Sequence, residues 1–196
     1  MRTRQYAEQR ERASANAGSV EEFLTSLEMS MTATRPSPQT LARVAQLTQK
    51  TNQFNTTTRR RTEEDIRELL GRAGSEVWQY AVMDRFGDNG IVGVAILNVG
   101  GRQAELDTLL MSCRVIARTV ETAMLTHLTE RARAAGAREL VGWFHPTKKN
   151  APAMGFFAAH GFREVERSGD SAFWSLDLAT ADSRVPAWIN LVSEGS

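Results

Sequence analysis

Between residues 76 and 113 three apolar runs follow one another, parted by two glycine turns. "EVWQYAVMDRF" (76–86), "GIVGVAILNVG" (90–100) and "RQAELDTLLMSC" (102–113) have strand length and composition, and "GDNG" (87–90) and "GG" (100–101) read as hairpin turns. Such a series folds as an antiparallel meander. Its middle run is apolar on both faces, which suits a central strand. A helical pattern follows over about 117–135, with Val120, Met124, Leu128 and Ala135 as its stripe and Gly136 as its stop. "RELVGWF" (138–144) is then another strand, so the long helix makes a parallel crossover after the fourth strand. The expected fold is α+β: a mixed, mostly antiparallel central sheet with flanking helices.

The remaining segments fit around that unit. "GSVEEFLTSLEM" reads as a helix capped by Ser19 with Glu22, with Val20, Phe23, Leu24 and Leu27 on one face. The charged "QYAEQRERASANA" before it reads as a solvated helix. "EMSMTATRP" (28–36) alternates as a strand. "SPQTLARVAQLTQK" gives a helical stripe of Leu41, Val44, Ala45, Leu47 and Thr48, and Thr62 with Asp65 caps a further helix. "APAMGFFAAH" is a short helix stopped by Gly161, and "FREVER" and "AFWSLDL" form a closing hairpin. Residues 1–27 are thus a helical lead-in, 28–178 the main domain, and 179–196 an irregular tail whose apolar Trp188, Ile189 and Leu191 are expected to dock somewhere.

The 196 residues are enough for one domain with a real core. The 24 Lys and Arg nearly cancel the 23 Asp and Glu, so no global field draws nucleic acid or an anionic membrane. Any anion site must be local. A single cysteine excludes an internal disulfide and fits a reducing, cytoplasmic setting. No metal-ligand spacing is present, no run approaches the ~20 apolar residues of a membrane span, and the polar start "MRTRQYAEQRERAS" is neither a signal peptide nor an anchor.

Three stretches carry chemistry. In "LLMSCRVIARTVETA" (109–123) a strand ends at Cys113, meets Arg114 and Arg118, and turns into the long helix. A thiol beside two arginines and a helix N-terminus favours thiolate, so Cys113 is a possible nucleophile; a free cysteine is as often a packing residue. In "KTNQFNTTTRRR", Asn52, Gln53, Asn55, Thr58 and Arg59 form a polar cluster able to bind a hydroxylated acyl group, phosphate or carboxylate, or simply a solvated loop. Glu105 and Asp107 share a strand face, and either of these, or His145 at a strand end, is a candidate general base.

The order of elements resembles that of the GNAT acyltransferases, which bind acyl-CoA or an acyl-pantetheine where two central strands splay apart. A sharper likeness lies in "RVAQLTQKTNQFNTTTRR", "DRFGDNGIVGV", "LDTLLMSCRVIAR" and "PTKKNAP", which resemble the C-terminal half of FkbH-like proteins. In those, a HAD-type phosphatase-like half takes a glyceryl unit from 1,3-bisphosphoglycerate and loads it on an acyl carrier protein for polyketide extender units. The resemblance implies a phosphate-binding turn formed by Ser112, Arg114, Val115, Ala117, Arg118, Thr119 and Val120, with Ala117 and Thr119 where the family has glycines. It implies Lys149 and Asn150 on the pantetheine arm, the 52–59 cluster on the acyl group, and CoA or carrier phosphopantetheine as cofactor. Phe157 stands where many GNAT enzymes have a proton-donating tyrosine. No Asp-x-Asp motif of a HAD half is present, so a separate HAD-type partner is implied for phosphate removal. The rival expectations are a docking module without catalysis and a small-amine N-acetyltransferase.

Overall fold

A computed structural model describes residues 20–194. The expected charged helix before Ser19, and the Ser19 cap itself, lie outside the described residues. Helix α1 (Val20–Ser26) buries Leu24, and Leu27 just beyond it joins the same core. Strand β1 (Met29–Thr34) alternates as expected, with Met29, Met31 and Ala33 inward. Helix α2 (Leu41–Lys50) buries the five stripe residues read from its sequence. Helix α3 (Glu63–Gly71) opens on a capping box. The Thr62 hydroxyl accepts the Asp65 N–H at 3.2 Å, and the Asp65 carboxylate accepts the Thr62 N–H at 2.6 Å.

The meander is β3 (Ser75–Asp84), β4 (Gly87–Gly100) and β5 (Gln103–Met111). Along β4, Val94 and Ile96 pack with α2 and α3, while Ala95 and Leu97 face the opposite cluster. That two-sided burial is what its apolar sequence requires. The first hairpin turn is not "GDNG" but Arg85–Phe86, because Asp84 pairs with Gly87. Asp84 makes this turn: its carboxylate accepts the Phe86 N–H at 2.8 Å and the Asn89 side-chain amide at 3.1 Å. Gly87 and Gly90 are instead strand residues in an irregular ladder with register shifts.

Helix α4 (Val120–Ala134) crosses from β5 to β6 (Glu139–Phe144). Gly136 ends it with φ 85°. Helix α5 (Phe156–Ala159) leads to the hairpin β7 (Arg163–Ser168) and β8 (Ser171–Asp177). Two short strands escaped the sequence reading. They are β2 (Phe54–Asn55) and β9 (Ile189–Ser193). The main sheet order is β7–β8–β6–β5–β4–β3–β1–β9, and β2 pairs with β5. Parallel pairs occur at β5/β6, the expected crossover, and at β1/β9.

The tail is irregular as far as Trp188 and then becomes a strand. Its last part is an edge strand, and Ala181, Val185, Trp188, Ile189 and Leu191 pack with the main core, as do Phe23, Leu24 and Leu27. One core runs across both of the boundaries expected near residues 27 and 178.

Candidate functional site

Strands β5 and β6 pair only from Gln103–Glu139 to Leu106–Gly142. Beyond Leu106 they part. Gly142 sits at the fork because the ring of Phe157 lies under it; a Cβ there would stand 3.0 Å from that ring. The open edge of β5 does not stay bare. Phe54 pairs with Met111 and Asn55 with Leu110, while β4 holds the other edge of the same residues. The Thr56 N–H donates to Leu109 O at 3.0 Å, and the Thr57 hydroxyl to Asp107 O at 3.0 Å. From the β6 side the His145 N–H donates to Thr56 O at 2.9 Å. Residues 54–57 are thus a wedge strand in the fork where the resemblance implies a pantetheine arm.

This wedge reassigns several expected site residues. Asn55 and Asn150 are buried within it. The Asn55 side-chain oxygen accepts the N–H groups of Thr57 and Thr58, and its amide donates to Thr51 O. Asn150 donates both amide hydrogens, to Asn55 O and His145 O at 2.9 Å each, and accepts the Thr147 N–H at 2.7 Å. It holds the wedge, not a ligand. Thr58 turns the chain with φ 54°. Arg59 and Arg61 both pair with buried Asp107, the latter at 2.5 Å, and the Thr108 hydroxyl donates to the same carboxylate at 2.8 Å. The Asp107 carboxylate is thus engaged within the chain, and Arg59 is committed to it.

The turn before α4 keeps a glycine-like backbone without glycine. Ala117 and Thr119 have φ 63° and 59°, the left-handed region that costs an L-residue roughly 1–2 kcal/mol. The two positions matched to family glycines have kept the shape and lost the residue that makes it cheap. Ala117, which is exposed, tests this directly. Ala117→Gly should raise unfolding free energy by about 1 kcal/mol in urea titration. An unchanged midpoint would mean the strain is absent.

Two polar side chains of this turn, Arg118 and Thr119, are already engaged. Arg118 donates to the Asp84 carboxylate at 2.6 Å, so the phosphate contact expected of it is taken by an internal anion. The Trp188 indole N–H donates to the Thr119 hydroxyl at 2.8 Å. The Val115 N–H bonds to Ser112 O, and the Val120 side chain is buried. Glu121, in the first turn of α4, places its carboxyl against its own backbone N–H; burial pushes this carboxyl up, and its Oε2 has no hydrogen-bond partner. An acidic group therefore stands at the helix end where phosphate was expected.

An open cleft lies beside the turn. It measures about 980 Å³ and is lined by α2, the loop after it, the Ser112–Arg114 turn and the loop after β6. Six expected residues meet there: Asn52, Gln53, Ser112, Cys113, Arg114 and Lys149. Arg43, Lys50 and Lys148 join them. Arg43, Leu47 and Lys50 share one face of α2 at i, i+4 and i+7, a signal present in the sequence but overlooked beside the apolar stripe. Cys113 is exposed. No hydrogen bond links it to a histidine among the described residues.

The histidines are held elsewhere. His145 shares its Nδ1 with the Ser171 hydroxyl at 2.9 Å and stacks on Trp143. Burial, then Arg59, pulls it below the usual imidazole range, leaving a neutral ring at the wedge rather than in the cleft. His160 caps α5 and bonds to Thr122 and Phe156 O. His127 is buried between Trp78, Tyr80 and Ser193. Phe156, Phe157 and Phe162 are all core residues.

The sheet is thus mixed and parted at one parallel pair, with a tight turn and a long helix after the parted strand. The sequence profile of the Acetyltransferase (GNAT) family matches residues 41–162, and the chain belongs to that family. No curated protein matches it in sequence. Among solved structures it is similar to the ribosomal-protein-S18-alanine N-acetyltransferase from Escherichia coli: 15% identity, 79% of this chain and 98% of that one covered, TM-score 0.57. It is also similar to Ard1 from Thermoplasma volcanium, with 15% identity, 75% and 97% coverage and TM-score 0.57. At such identities the likeness establishes the fold. Among the described residues no helix is long and apolar enough to cross a membrane.

Proposed function

We propose that this domain binds a phosphopantetheine thioester, of CoA or of an acyl carrier protein, and assists transfer of its acyl group. The observation that carries this is the convergence in one open cleft of an exposed thiol, Cys113, with the polar Asn52, Gln53 and Ser112 and the cations Arg114 and Lys149. In such a step the Cys113 sulfur attacks the acyl carbon, the pantetheine C–S bond breaks, and the thiol proton passes to the departing sulfur. A glyceryl-type acyl group, a polyketide or other secondary-metabolite setting in the cytoplasm, and a separate HAD-type partner follow from the likeness to FkbH-like proteins. Amine acetylation by a tyrosine acid is disfavoured, because Phe157 has no proton to give and is buried.

The wedge and the occupied α4 turn favour a second reading, a non-catalytic module that docks a carrier protein. One experiment separates the two. The protein is incubated with acyl-CoA, with an acyl-carrier thioester, and with neither, and intact mass and product are read. Transfer predicts an acyl adduct that Cys113→Ala abolishes, with product formed. Binding of holo but not apo carrier with neither adduct nor product would establish docking instead.

A further inference from the structure

The chain is nearly neutral, yet one cleft gathers Arg43, Lys50, Arg114, Lys148 and Lys149 with no carboxylate in its lining. None of the five forms an ion pair among the described residues. Other arginines near the parted strands behave differently: Arg59, Arg61 and Arg118 are each neutralised by an aspartate. Arg43 is fixed in place, donating to the Gln46 side chain at 2.6 Å and to Ile91 O at 3.2 Å. Burial and then the neighbouring Arg114 depress its guanidinium, so two like charges face one another without a counterion. Neutral acceptors fix Arg43 and leave its charge uncompensated. An anion between these groups would be bound by several charge-assisted bonds at once.

The other route for a phosphate is obstructed. The α4 N-terminus carries the Glu121 carboxyl, Arg118 is tied to Asp84, and residues 54–57 fill the fork. We propose that the cleft between α2 and the Ser112–Arg114 turn is a phosphate site, built by Arg43, Lys50, Arg114, Lys148 and Lys149, and that phosphate-bearing ligands enter on the α2 side rather than at the α4 N-terminus. The same field repels ammonium groups, so a cationic amine is not the ligand of this cleft. This deepens the reading above by placing the ligand's phosphate on particular residues, and it rests on that reading only for which bond reacts.

The test is calorimetric titration of the whole chain with inorganic pyrophosphate, CoA, and holo- and apo-carrier protein at two salt concentrations. Lys50→Gln/Lys148→Gln is the first variant, since neither side chain holds a bond among the described residues. Adding Arg43→Gln gives the second. The expected result is pyrophosphate binding that weakens about tenfold per cation removed and falls with salt. Glu121→Gln should leave it unchanged. Where pyrophosphate binds, binding of CoA but not holo-carrier, or of holo-carrier but not CoA, with the same sensitivity supports the site and names the source of the phosphate. Three results would overturn it: no pyrophosphate binding by the parent chain, equal binding by both variants, or tighter binding by Glu121→Gln, which marks the α4 terminus as the site. Turnover without cleft-dependent binding removes this site and leaves acyl transfer standing; cleft-dependent binding without turnover does the reverse.

Discussion

Arg59→Met/Arg61→Met should lower unfolding free energy by about 3–5 kcal/mol. Asp107 is the reason. Its side chain is 5% exposed, and the two arginines are its only ionic partners among the described residues. Without them this buried carboxylate retains, among the described residues, the Thr108 hydroxyl, and an unpaired buried charge is among the most destabilising of single defects. Asp107→Asn should cost less, because Arg59 and Arg61, at 44% and 20% side-chain exposure, can turn toward water. Urea unfolding of the three chains checks the order. The triad also ties the 59–61 segment to β5, so the double variant should loosen the wedge, read as faster amide exchange at Thr56. A double-variant loss below 1 kcal/mol would mean that backbone bonds alone hold residues 54–57.

Acidification supplies the second large effect. His127 is held down to about 4, first by burial and then by Arg131, with Glu76 opposing. Its folded value lies below the unfolded value near 6.5. Between those values the unfolded chain binds more protons, so stability rises with pH across the window and is lost as pH falls from about 6.5 to 4. The loss through this one group is about 3 kcal/mol. His127→Gln cannot titrate, and the slope of stability against pH between 6.5 and 4 should flatten by close to one proton. An identical slope in the variant would place the acid sensitivity elsewhere.

The parts of the fold readable in the sequence were those where periodicity and burial coincide. The α2 stripe, the Thr62–Asp65 box, the two-sided apolar β4 and the crossover helix each follow from residue pattern alone. Strand β2 was not readable, since two residues carry no period, and its pairing with β5 spans more than fifty positions. Strand β9 has one buried residue, Ile189, too few to signal alternation. The turn at Arg85–Phe86 was masked by "GDNG", whose glycines serve an irregular strand while Asp84 shapes the turn.

In the candidate site, residue types were legible in the sequence and side-chain partners were not. Asn55, Asn150, Arg59 and Arg118 are polar residues in the right segments, but each bonds within the chain. Whether a polar side chain faces a ligand or a neighbouring strand is set by tertiary placement, which spacing does not encode. The left-handed Ala117 and Thr119 were marked only by standing at glycine positions. Arg43, Lys50 and Lys148 lie in three-dimensional proximity from two segments about a hundred residues apart.

The parallel pairing of β1 with β9 joins Met29 to Ile189 and Ala33 to Ser193. During synthesis the outer edge of β1 therefore waits for its β9 partner until residues 189–193 have left the ribosome. An unpaired edge is a template for association with other chains. The same late segment brings Trp188 to Thr119, so the turn before α4 also waits for it. Strand β9 thus governs both how safely this edge of the sheet assembles and when the α4 turn acquires its contact with Trp188.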